Sequence, residues 1–242
     1  MLRKRFMKAV RELYDIVDQT QTDNIIKAAE LIVDCVKKGA HVHIFDTGHI
    51  INSELTNRAG GLALLKPFKY SFSVDDPVRV TDRNNISGNF EGLGKFILDH
   101  SKAVTGDVMI LGSVSGKSAN VIDLALAARE MGLKTIVITS LEYSSSVPSA
   151  HSSGKHLFDL GDVVIDNCAP KGDAMLEVDG ATNKFGPASG LSAAYIMWCV
   201  CADVVEMLLE QGYDPTIFKS INYPDGKENY DLMCKKYAET GI

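Results

Sequence analysis

From Ile110 to Ser118 the chain reads ILGSVSGKS, an apolar run followed by Ser113, Ser115 and Ser118 set around Gly116 and Lys117. A helical pattern covers Ser118 to Met131, so these serines stand at a strand-to-helix junction. The first turn of a helix has backbone N–H groups without intrahelical acceptors and carries the positive end of the helix dipole. Hydroxyls beside such a turn add donors, and a glycine lets the backbone come close to a guest. That chemistry is anion binding, with phosphate as the natural guest. One capping serine and one glycine suffice to join a strand to a helix, and three serines exceed that need. Lys117 either adds charge to the same site or points to solvent.

A second concentration of reactive residues lies in HIFDTGHIINSELTNRAGG, His43 to Gly61. Gly48, His49, Asn52, Ser53, Glu54 and Arg58 crowd the carboxyl end of an earlier strand. With a helix beginning near Ile51, Glu54 and Arg58 fall at i, i+4 and share a face, as site residues or as a surface ion pair. His151 opens HSSGKH, either at the same rim or as a loop histidine beside a helix cap; Lys155 there either neutralises a phosphate or, the preferred reading, faces solvent. GPASGLSAA opens the last long helix with Ser189 and Ser192, either a second helix start facing the ligand or, the preferred reading, a cap and small packing residues. His41 and His43 share one face of a strand with no acidic or cysteine partner spaced for zinc, and His100 and His156 are isolated, so no metal site is expected.

These residues need elements to hold them. Strands are expected at Val42 to Phe45, Asp107 to Leu111, Thr135 to Thr139 and Val163 to Asp166, with a weaker one near Tyr70 to Val74. The better ones are continuous apolar runs, as in strands covered on both faces. Helical patterns lie at Arg3 to Gln19, Asp23 to Lys38 (with Thr22 as N-cap and Gly39 as stop), from near Asn52, at Phe90 to Ala103, Ser118 to Met131 and Leu191 to Gln211. A short one is expected between Ser153 and Leu160, and a polar tail closes the chain. Strands alternating with helices imply βαβ units in a three-layer αβα sandwich around a mostly parallel sheet. Ligands then bind at the carboxyl ends of the strands.

The bulk properties exclude several classes. The chain has 242 residues, a formal net charge of −6 and no basic stripe, so no nucleic acid is expected as partner. Its five cysteines are odd in number and lack C-x-x-C spacing, which suits free thiols in a reducing cytoplasm. The basic first residues lack an apolar signal core, and the Leu191 to Ala202 run is too short for a bilayer, so no membrane partner is expected. The apolar circumference of Leu191 to Gln211 points to a subunit interface.

DVMILGSVSGKSANVIDLALAAREMGLKTIVITS, Asp107 to Ser140, resembles the central motif of the sugar isomerase (SIS) domain family. RAGGL from Arg58, HSSGKHL from His151, DVVIDN from Asp162 and the Gly172–Asp173 pair are similar to a bacterial group of SIS proteins related to phosphoheptose isomerases. The resemblance implies one SIS domain over residues 1–242, with a core of about 33–211, a flavodoxin-like five-stranded sheet and helical extensions at both ends. It implies phosphosugar binding by Ser113, Ser115, Gly116 and Ser118, with Lys117, Gly48, Asn52, Ser53 and Arg58 as further candidates. It implies aldose–ketose isomerisation with Glu54 as base and His49 or His151 as acid or ring-opener, without a cofactor. The first loop departs from the family's G-x-G-x-S, with Asp46 and Ile50 in place of the first glycine and the serine. A sugar-phosphate lyase or etherase and a non-catalytic sugar-phosphate sensor remain alternatives on the same site. A homo-oligomer, dimer or tetramer, is the expected assembly.

Overall fold

Apolar runs too short for helices become parallel strands in the computed structural model, which describes residues 1–48, 51–73 and 91–242. β1 (Val42–Asp46), β2 (Leu65–Pro67), β3 (Val108–Gly112), β4 (Lys134–Thr139) and β5 (Val163–Asp166) form one sheet in the order β2-β1-β3-β4-β5, every pair parallel. The central strand β3 is buried along its whole length. The chain passes from β1 out to β2 and then back across to β3, which opens a crevice where β1 and β3 end. This is the three-layer α/β sandwich expected, with its five-stranded sheet.

Helices cover both faces. On one side α1 (Leu2–Val36) and α6 (Ser189–Glu210) pack Ile25, Ile32, Ile196 and Val200 against Val42, Ile110 and Ile136. On the other, α3 (Leu93–Asp99) and α4 (Ala119–Met131) pack Leu98, Val121, Ile122 and Leu124 against Met109, Leu111 and Val137. Short helices α2 (Asn52–Leu55) and α5 (Leu141–Ser145) follow β1 and β4, and Leu157–Leu160 form a 3-10 turn. An antiparallel hairpin, β6 (Ala174–Leu176) and β7 (Phe185–Pro187), leads into α6.

Several expectations are corrected. The two amino-terminal helices are one, α1, of 35 residues and ~52 Å; Thr20 and Thr22 do not cap a second helix but donate their hydroxyls back to the Ile16 and Asp18 carbonyls. The edge strand is Leu65–Pro67, and Tyr70 to Ser73 form no strand, Val74 lying outside the described residues. Within the expected Phe90 to Ala103 helix only Leu93–Asp99 is helical, and Phe90 is outside the described residues. The polar tail contains a further helix, α7 (Gly226–Thr240). With 22 residues α6 is long and apolar enough to cross a membrane by length and composition, yet Ile196, Met197, Val200, Val204 and Leu208 are buried in the core.

His41 and His43 do have an acidic partner, one that spacing could not reveal. Asp107, fully buried just before β3, accepts the His41 N–H on Oδ1 and His43 Nε2 on Oδ2, at 2.8 and 3.0 Å. Val104 N–H donates to the same Oδ2 at 3.1 Å. The carboxylate thus ties together the starts of β1 and β3. Among the described residues no group of three potential ligands could hold a metal ion. Burial alone would raise the Asp107 pKa, but the hydrogen bonds from His41, His43 and Val104 outweigh it and hold the carboxyl below its usual range. A carboxyl depressed on folding stabilises the fold above its unfolded pKa of about 3.9, and that stabilisation is lost as pH falls through the lower folded value. Asp107→Asn turns one acceptor oxygen into a donor facing donors. It should lower the unfolding free energy by about 1.5–3 kcal/mol at neutral pH. In urea titrations the wild-type advantage should shrink as the medium is acidified below the unfolded carboxyl pKa.

Candidate functional site

Helices α2, α4, α5 and α6 begin near the carboxyl edge of the sheet, and their first turns are treated differently; at α5 Ser140 Oγ accepts the Tyr143 N–H and Asp166 Oδ1 that of Leu141. At α2, Asp46 Oδ2 accepts the N–H groups of Ile51 and Asn52, each at 2.8 Å, and Oδ1 accepts that of Gly48 at 3.4 Å. At α6, Asp173 Oδ1 accepts the N–H groups of Ala188 and Ser189 at 3.1 and 2.8 Å, and Oδ2 accepts the Ser189 hydroxyl at 3.0 Å. Both starts already carry a carboxylate. At α4 the N-cap residue Ser118 has extended backbone and makes no side-chain cap. Among the described residues the N–H groups of Ala119, Asn120 and Val121 have no acceptor, at the positive end of a 13-residue helix.

The loop before α4 is held from beneath. Ser113 N–H continues the sheet by donating to Ile138 O at 3.1 Å. Its buried hydroxyl accepts from Thr47 Oγ1 at 3.2 Å, a link across the β1/β3 crevice. Thr139 Oγ1 and Ser140 N–H donate to Val114 O, Leu157 N–H donates to Gly116 O, and Ala150 N–H donates to Lys117 O. With carbonyls bonded underneath, the loop presents its remaining donors outward. Ser115, Lys117 and Ser118 are half-buried, and their side chains make no hydrogen bond or ion pair among the described residues.

Gly116 has φ +55°, and a Cβ there would lie 2.8 Å from Ser144 Oγ, 3.0 Å from Thr139 Oγ1 and 3.3 Å from Leu157 Cβ. Only glycine combines that conformation with that approach. Gly116→Ala should cost about 1–3 kcal/mol of stability and displace the loop, so thermal unfolding and anion affinity should fall together. Retention of both would remove the loop's dependence on this glycine.

The other candidates divide. Glu54 pairs with Arg58 although α2 ends at Leu55, and its Oε1 also accepts Trp198 Nε1–H at 3.4 Å; the Arg58 guanidinium lies 5.7 Å from the Trp198 ring centroid. Glu54 is therefore directed toward α6, and its side chain is 42% exposed. Gly48 and Ser53 are exposed, and the buried Oδ1 of Asn52 has no partner among the described residues. His49 lies outside the described residues.

His151 is nearly buried. Its Nδ1 accepts Ser153 N–H at 3.0 Å, and Nε2 lies 3.8 Å from both Glu91 Oε2 and Asp123 Oδ1. Glu91 accepts the Ser152 N–H and hydroxyl, which hold its carboxyl below the usual range. The histidine thus braces the segment bonded to Lys117 against α4. Asp123, Glu91 and Thr47 escape a reading by spacing, because long chain separations divide them from the residues they hold. Burial raises the thiol pKa values of Cys35, Cys168, Cys199 and Cys201, the last to about 12, so these thiols stay protonated and unreactive at neutral pH.

The chain is a doubly wound α/β protein with an uncapped, serine-lined helix start beside its switch point, the place where such sheets receive ligands. The SIS domain family model matches residues 5–140, and the chain belongs to that family. It is 34% identical over 240 residues to a UPF0309 protein of Oceanobacillus iheyensis, covering 98% of this chain and 96% of that one. It is also 34% identical over 244 residues to a UPF0309 protein of Geobacillus kaustophilus, with 99% and 95% covered. The phosphoheptose isomerase of Neisseria gonorrhoeae superposes with a TM-score of 0.53 at 17% identity, covering 84% of this chain and 97% of that one. At that identity the likeness is one of fold.

Proposed function

We propose that this chain binds a sugar phosphate at the Ser113–Ser118 loop and interconverts its aldose and ketose forms. The observation that carries the binding is the free start of α4 beside two helix starts that Asp46 and Asp173 already neutralise. The phosphate accepts hydrogen bonds from the α4 amides and from Ser115 and Ser118, with Lys117 supplying charge, while Ser113 sets the depth of the loop through Thr47. Membership of the SIS family supports the same reading, which takes residues 1–242 as one unit.

In the reaction, Glu54 removes the proton from C2 of the open-chain aldose and returns it to C1 through an enediolate. His49 or His151 serves as acid or ring-opener. Asn52, Ser53 and Gly48 line the sugar side. No cofactor is needed for such a proton shift. A second reading, a sugar-phosphate sensor, is favoured by the engagement of Glu54 with Arg58 and Trp198 and by the bracing position of His151.

Loss of either serine removes a hydrogen bond to a charged oxygen, worth about 1.5–3 kcal/mol. Ser115→Ala and Ser118→Ala should thus each weaken sugar-phosphate binding about ten- to a hundredfold in calorimetry. Equal affinity for a sugar and its phosphate would remove the anion site. For the reaction, a panel of sugar phosphates in deuterated water should show deuterium entering the carbon next to the carbonyl. Glu54→Gln should slow this exchange about 10² to 10⁴-fold, with affinity little changed. Tight binding without exchange by the wild type would establish the sensor instead.

A further inference from the structure

Carboxylates border the start of α4 on the neighbouring elements. β1 ends in Asp46, β5 ends in Asp166, and Asp173 stands just before β6. Each is held by backbone donors. Asp46 Oδ2 accepts the Ile51 and Asn52 N–H groups, Asp166 Oδ1 accepts those of Leu141 and Cys168 at 3.1 and 2.9 Å, and Asp173 Oδ1 accepts those of Ala188 and Ser189. The donors at the start of α4 thus face negative charge at α2, α5 and α6.

Of the three, Asp46 is tied most closely to the serine loop. It pairs with Gly112, the residue before Ser113, in the register of β1 with β3. A Cβ on Gly112 would lie 3.2 Å from Asp46 Cβ, and the next residue of each strand is joined by Thr47 Oγ1 donating to Ser113 Oγ at 3.2 Å. Neighbouring strands run ~4.8 Å apart, so the carboxylate lies within the length of one sugar from the loop. Its Oδ2 is filled by two N–H groups at 2.8 Å, whereas Oδ1 has only the longer contact of 3.4 Å to Gly48 N–H. Asp46 is half-buried, and Arg58, the cation that follows α2, is held by Glu54.

We propose that Asp46 sets the substrate class: the site takes a sugar with one phosphate and rejects a sugar that carries a second anionic group, phosphate or carboxylate, at its other end. Two effects act together. The α2 amides that would receive a second anion are already bonded to Asp46. The carboxylate also repels that anion from a half-buried position, where like charges are screened less than in bulk water. A neutral polyol end meets neither obstacle, and its hydroxyls have Oδ1 as an acceptor. The selectivity rests on the phosphate site proposed above and is independent of the proton transfer.

Calorimetry of the full chain tests this with fructose 6-phosphate against fructose 1,6-bisphosphate, ribulose 5-phosphate against ribulose 1,5-bisphosphate, and 6-phosphogluconate. The wild type should bind the better monophosphate at least about tenfold more tightly than its bisphosphate or the sugar acid. Asp46→Asn and Asp46→Ser each keep an oxygen that can cap α2 and remove the charge. Either should tighten binding of the bisphosphate and the sugar acid about tenfold, with monophosphate affinity and circular dichroism nearly unchanged. A wild type that binds bisphosphate as tightly as monophosphate would overturn the proposal, and that measurement needs no variant. So would a folded Asp46→Asn or Asp46→Ser protein that keeps the wild-type preference. Both results leave the phosphate site standing, whereas a wild type that binds none of the five compounds at millimolar concentration would overturn the site and the selectivity together.

Discussion

Backbone amides at the start of a helix need acceptors, and the carboxyl edge of this sheet is organised by how that need is met. Asp46 and Asp173 meet it from within the chain at α2 and α6. Asp173 adopts a left-handed backbone, φ 69°, at the turn from which it reaches α6. Such conformations are costly for residues other than glycine, and a carboxylate bonded three times offsets that cost. At α4 no side chain among the described residues meets the same need. The uncommitted donors gather at one place because the neighbouring positive ends are already neutralised.

The loop is rigid for a related reason. Its carbonyls at Val114, Gly116 and Lys117 are bonded to β4 and to the 150–157 segment. That segment is in turn braced by His151 between Glu91 and Asp123. An anion bound there would meet donors already aimed, and less ordering entropy would be lost on binding. At the opposite edge Asp107 does the corresponding work, fixing where β1 and β3 start and hence where they end.

Much of this was legible in the sequence. β1, β3, β4 and β5 are apolar runs that no helix period fits, and the serines at the end of β3 mark the candidate site by type and spacing. The edge strand β2 was not, because it is three residues long and ends in proline. The break expected within α1 rested on Thr22 as a cap, and a threonine hydroxyl satisfied by the carbonyl one turn back reads the same in sequence. α7 was taken for a tail because it is polar; it lies alongside the chain through Tyr230 stacked on Phe218 and Tyr237 under Lys66. The α6 cap and the Asp107 clasp join residues 16 and 64–66 positions apart, whose meeting depends on the tertiary fold, so spacing alone carried no sign of them; the α2 cap is local, Asp46 standing five residues before Ile51.

Pro67 has a consequence for how copies of this chain can meet. Phe68 donates its N–H inward to Ile44 O, so the outward amide position of β2 falls on Pro67, which has none. At the far side of the sheet the Asp166 N–H of β5 is taken by Gln21 of α1. Among the described residues each margin lacks a donor that another strand would need in order to add on, which works against edge-to-edge aggregation. Crowded copies of this chain are left to touch through helices, by side chains that can be exchanged without disturbing the sheet.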